Sequence, residues 1–133
     1  MRRCKLLYIE DDAASLALVK KLVATRTDLL LLRAADANLG LALARSERPD
    51  VVLINIDLPG PESAVARVKM LRAEPATETA PLLALSADVA PEAIVKRLEA
   101  GFFQCLARPL QAEPFMEALA FALEFAAVER SEG

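Results

Sequence analysis

PDVVLINIDLPG, residues 49–60, carries an unbroken apolar run from Val51 to Ile54, closed by Asn55 and followed at Pro59-Gly60 by a turn signal. A short run of this kind, rich in β-branched residues and lacking polar alternation, reads as a strand covered on both faces. Four more apolar runs share its character, at residues 5–10, 29–34, 82–86 and 103–107. Between and after them lie segments with apolar residues at three- and four-residue spacing, which predict helices over 13–25, 38–47, 62–73, 91–100 and 113–129. Strand and helix therefore alternate five times, the pattern of an α/β domain with a parallel sheet between two helical layers.

The punctuation agrees with these limits. Asp12 and Asp36 stand where helix N-caps are expected, Pro91 and Pro114 where a first turn tolerates a missing N–H, and Gly101 just past a helix end. No linker, internal repeat or low-complexity stretch interrupts the alternation, so residues 1–133 are expected to form one domain with an ordered core over about 4–129. Ser131-Glu132-Gly133 is expected to fray.

Composition narrows the function. With 55% hydrophobic residues the chain can bury a sizeable core, and a net charge of −3 with scattered arginines gives no basic field for a phosphate backbone, so nucleic acid is not an expected partner. Histidine is absent from the sequence, which removes the raw material for zinc sites of the usual kind, for Ser-His triads and for phosphohistidine chemistry within this chain. Cys4 and Cys105 lie in apolar runs rather than at metal-ligand spacing and are expected as reduced, buried thiols. The apolar stretch 6–9 after Met1-Arg2-Arg3 is too short for a signal peptide and meets Glu10-Asp11-Asp12. The run 118–128 is interrupted by Glu124 and is about half a membrane span. The expected setting is cytoplasmic, with no membrane contact.

In an open parallel sheet the ligand site lies beyond the carboxyl ends of the strands. Those ends carry Glu10 and Asp11, Asn55, Ser86 and Arg108. With these residues in place, the chain resembles a receiver domain of the two-component response regulators over nearly its whole length. The resemblance rests on LLYIEDD at 6–12, PDVVLINIDLPG at 49–60, PLLALSADV at 81–89 and AGFFQCLARPL at 100–110. The wording is most similar to receivers of hybrid sensor kinases. The resemblance implies a flavodoxin-like, doubly wound five-stranded sheet of order 2-1-3-4-5 with five helices, a Mg²⁺-dependent phosphoacceptor aspartate at the end of the third strand, and a sensor kinase or other signalling protein as partner.

Several positions depart from that pattern. The phosphoacceptor position is Asn55, whose neutral amide lacks the ionised oxygen needed to attack phosphorus or to help hold a metal. Asp57, two residues on, is expected to need loop movement before its carboxylate could take over. Arg108 stands where the family has a phosphoryl-pairing lysine, and a salt bridge from it to Glu10, Asp11 or both is expected, against the alternative of an arginine pointing to solvent. Glu10 and Asp11 alone give at most a weak Mg²⁺ site, or merely a solvated acidic turn. Ser86 matches the hydroxyl that bonds the phosphoryl group in receivers; without one, its expected role is to bond nearby backbone. Cys105 replaces the aromatic that reports activation by rotating. The Arg108–Pro109 bond is expected cis.

The reading that follows is a non-enzymatic pseudo-receiver, needing no cofactor and acting by protein–protein contact independently of phosphorylation. The last helix suggests where: Phe115, Leu119, Ala122, Leu123 and Ala126 share a sheet-facing side, while Phe121, Phe125 and Val128, with Ala118, fall on another. That second stripe suggests a homodimer or partner surface. The alternatives are a phosphorylatable receiver using Asp57, and a small flavodoxin-like nucleotide-binding protein or enzyme. The last lacks a Gly-rich phosphate loop after the first strand, where Glu10-Asp11-Asp12 would repel an anion.

Overall fold

A computed structural model describes residues 3–132. The strands are β1 (Cys4–Ile9), β2 (Leu29–Ala34), β3 (Val51–Asn55), β4 (Leu82–Ser86) and β5 (Gln104–Ala107). They alternate with α1 (Ala13–Val23), α2 (Ala37–Glu47), α3 (Ala64–Ala73), α4 (Pro91–Ala100) and α5 (Ala112–Glu132). All strand pairs are parallel and the order is β2-β1-β3-β4-β5, as the resemblance implied. Every residue of β3 and β4 is buried, which accounts for their continuous apolar character.

Alternation along each strand divides the core in two. Leu6, Tyr8, Val51, Leu53, Leu83 and Leu85 face α1 and α5, where they meet Val19, Phe115, Leu119 and Ala122. Leu7, Ile9, Val52, Ile54, Leu82 and Ala84 face the other way, onto Leu41 and Ala44 of α2 and Val68 and Leu71 of α3. Burying an aliphatic side chain of this size contributes about 1.5–3 kcal/mol, so these two layers dominate the favourable side of folding. Helix α4 contributes no buried residue to either layer. Ala93, Ile94, Arg97 and Ala100 are its half-buried residues.

Helix ends follow local chemistry. Asp12 and Asp36 accept from the amides of Ser15 and Leu39, both at 2.8 Å, as expected of N-caps. Gly101 closes α4 at φ 123°, a left-handed value that disfavours side chains with a Cβ. The first helix stops at Val23 rather than 25, where Thr25 turns its hydroxyl back onto Leu22 O. The third begins at Ala64 rather than 62 because Ser63 is its cap. The last begins at Ala112 and runs through Glu132, so Ser131 and Glu132 are helical rather than frayed; Gly133 lies outside the described residues. Arg130 pairs with the buried Asp50 at 2.5 Å, fastening that final turn to the start of β3. The fifth strand begins at Gln104, leaving Phe103 half-buried at its edge.

Two expectations about burial are corrected. Ala118 is fully buried beneath the sheet-facing side of α5 rather than part of the outer stripe, because at 100° per residue it lies next to Phe115 and Ala122. Cys4 and Cys105 are free thiols but half-buried, since both lie on strands whose covering helices leave them partly open.

Candidate functional site

Strand order reverses around β1, whose neighbours are β2 and β3, and the carboxyl ends of β1 and β3 open a cleft at that reversal. Glu10 leaves β1 into this cleft with its side chain wholly buried, an expensive place for a carboxylate unless donors surround it. They do. Tyr8 Oη donates to Oε1 at 3.1 Å, Asn55 Nδ2 to Oε2 at 2.7 Å, and the Asp11 amide to Oε2 at 3.2 Å. Arg108 Nη1 stands 3.5 Å from Oε1, the expected ion pair, made with Glu10. Burial first, then the Glu10 charge and the bond to it, push the Tyr8 hydroxyl pKa well up, so Tyr8 remains a donor across the accessible pH range.

The other end of the Asn55 amide is also engaged, its Oδ1 accepting from Asp57 N at 2.9 Å. Asn55 thus bridges the buried carboxylate and the β3–α3 loop. Arg67, itself buried, holds that loop from below: its guanidinium donates to the carbonyls of Ile56, Leu58 and Pro59, with Glu62 at 3.9 Å.

The Asp57 carboxylate is turned toward β4 rather than toward Glu10: Oδ1 accepts from Ser86 Oγ at 2.9 Å and Oδ2 from Ala87 N at 2.8 Å. Ser86, fully buried, also accepts from Asp88 N at 3.1 Å and Arg97 Nη2 at 3.3 Å. Its partners therefore include side chains as well as the expected backbone. Arg97, from α4, donates its second terminal nitrogen to Asp88 O at 2.5 Å. Cys105 lies one turn of the pleat inside β5, beside Arg97; burial pushes its thiol pKa up, opposed by the Arg97 charge.

Glu10, Asn55, Ser86 and Arg108 are therefore brought together, with Cys105 at the margin, whereas Phe121, Phe125 and Val128 lie apart on the outside of α5. Tyr8, Arg67 and Arg97 were not anticipated as participants. Tyr8 had a signal, since residues two apart on a strand share a face and Glu10 follows at that spacing. So did Arg67, which precedes Leu71 by one turn on the buried side of α3.

A Mg²⁺ site is not well served by this arrangement. Both Glu10 oxygens are committed to donors, Asn55 turns its nitrogen toward them, and Asp11 is exposed. Among the described residues no group of three or more His, Cys, Asp or Glu side chains is placed to hold a metal ion.

A doubly wound domain with an acidic, amide, hydroxyl and guanidinium set at its strand-order reversal defines a class of small cleft-bearing α/β proteins. The response regulator receiver domain matches residues 6–120, and the chain belongs to that family, the receivers of two-component signalling. It is 30% identical over 108 residues to protein-glutamate methylesterase/protein-glutamine glutaminase 1 of Cereibacter sphaeroides, covering 79% of this chain but 28% of that protein. Among solved structures, chemotaxis protein CheY4 of Vibrio cholerae superposes with a TM-score of 0.81 at 23% identity, over 91% of this chain and 99% of that one. The receiver domain of a sensor histidine kinase from Pseudomonas aeruginosa, which holds a magnesium ion in its active-site cleft, gives 0.78 at 20% identity, over 92% and 98%. The chain spans 28% of the length of the two curated relatives it matches. Among the described residues no helix is long and apolar enough to cross a membrane.

Proposed function

We propose that this receiver domain signals by protein–protein contact independently of phosphorylation, in the cytoplasm, and catalyses no reaction of its own. The observation that carries this reading is the Asn55 amide, held at both ends between Glu10 Oε2 and Asp57 N at the position where phosphoryl transfer requires a carboxylate. A neutral amide offers no anionic oxygen to phosphorus, and Arg108 supplies to Glu10 the positive charge that a metal would otherwise bring. Mg²⁺ is expected to bind weakly at most at Glu10 and Asp11, without saturating at millimolar concentration.

The contact surface in this reading is the outer side of α5. Phe121 is 62% exposed and Val128 53%, and Phe125 stacks at 5.3 Å, tilted, on Phe103. Leu98 of α4, itself exposed, lines one hollow with Phe103 and Phe125 and extends the apolar area. A sensor kinase, another signalling protein or a second copy of the chain would cover it.

A second reading has one observation in its favour: the Asp57 carboxylate lies at the mouth of the cleft and could serve as an alternative phosphoacceptor. Incubation with radiolabelled acetyl phosphate and Mg²⁺ separates the two. The proposal predicts no label on the wild-type chain. Label that Asp57→Asn abolishes would establish the second reading in its place.

A further inference from the structure

The Asp57 carboxylate is used by neither the Glu10 cluster nor the α5 surface, yet both its oxygens are bonded across the cleft. We propose that Asp57, exposed at the mouth of the cleft, is a carboxylate that latches the β4–α4 loop, and through Ser86 and Arg97 sets the position of α4. The bonds form one path. Asn55 Oδ1 holds the Asp57 amide; the Asp57 carboxylate accepts from Ser86 Oγ and Ala87 N; Ser86 Oγ accepts from Arg97 Nη2; and Arg97 Nη1 closes onto Asp88 O.

Two features make this path decisive for α4 rather than incidental. Helix α4 has no fully buried residue, Ala93, Ile94 and Ala100 being only half-buried, and Arg97, with a side chain only 12% exposed, is its link to the cleft. The other end of the path is rigid. Arg67 clamps the loop carbonyls on either side of Asp57, and Asn55 sits at the end of a fully buried strand. A carboxylate presented from a rigid loop to a hydroxyl and an amide on a looser one acts as an anchor, and charge-assisted bonds are the stronger kind. Leu98 of α4, part of the exposed apolar area, is thereby held in one presentation.

The test of this latch uses no phosphodonor, so its failure leaves the proposed function untouched. Amide exchange is followed by NMR in the wild type, Asp57→Ala, Ser86→Ala and the double variant. Asp57→Ala is expected to accelerate exchange about five- to tenfold at Ala87, Asp88 and the α4 amides of residues 94–98, with Leu53 and Leu83 in the core unchanged. Because both residues lie on one path, the double variant should exchange no faster in α4 than the faster single variant. Unchanged exchange in Asp57→Ala, acceleration confined to Ala87, or fully additive effects in the double variant would each overturn the proposal.

Discussion

Asn55 and Glu10 show how a single amide reorganises a cleft. With nitrogen toward Glu10, Asn55 donates where a carboxylate would repel, and the buried Glu10 becomes a satisfied acceptor. Asn55→Asp removes that donor and sets a second carboxylate at the hydrogen-bond distance, 2.7 Å, that now separates Asn55 Nδ2 from Glu10 Oε2. The variant is expected to lose roughly 1–3 kcal/mol in urea unfolding at pH 7. Cys105 offers a second residue-scale test. Its raised thiol pKa lowers the thiolate fraction at pH 8, so it should alkylate with iodoacetamide several-fold more slowly than an unhindered cysteine. These neighbourhoods were only partly legible in the sequence. The amide at 55 and the arginine at 108 could be read by position, and their ion-pair consequence followed. The rotation of Asp57 toward Ser86 could not, because it depends on the course of a loop and on donors from a strand 29 residues away.

At the scale of elements, strand identity was the most legible feature, because β3 and β4 are buried on both faces and every residue of both strands reports it. Boundaries were less so: Ser63 and Thr25 set helix ends through hydrogen bonds, and the last turn of α5 depends on Arg130 meeting Asp50, 80 residues distant. Packing between elements was invisible, as Gly40 illustrates. A Cβ added there would meet Ile9 Cδ1 at 2.6 Å and Cγ1 at 2.9 Å, so the glycine permits α2 to lie directly on β1. In an exposed helix Gly→Ala gains about 1 kcal/mol. Here overpacking against a fully buried isoleucine should outweigh that gain, and Gly40→Ala is expected to lose about 1 kcal/mol net in thermal or urea unfolding.

For the whole molecule, the alternation of five strands and five helices carried the topology, and the cleft at the strand-order reversal followed from it. The outer stripe of α5 was legible as periodicity, and three of its four members are exposed, whereas Ala118 is buried. Contact through that stripe has a measurable consequence. Light scattering across a concentration series is expected to show self-association of the wild type, abolished by the Phe121→Asp/Phe125→Asp pair; an identical monomer in both would reject the homodimer. Folding of that variant is checked by its unfolding midpoint, since both positions lie on the solvent side.

The reading as a whole turns on whether any oxygen in the cleft can take a phosphoryl group, and intact mass spectrometry answers this directly. After prolonged incubation with acetyl phosphate and Mg²⁺ at neutral pH, the wild-type chain is expected to keep its unmodified mass. A population heavier by one phosphoryl group, lost again under conditions that hydrolyse acyl phosphates, would contradict the account.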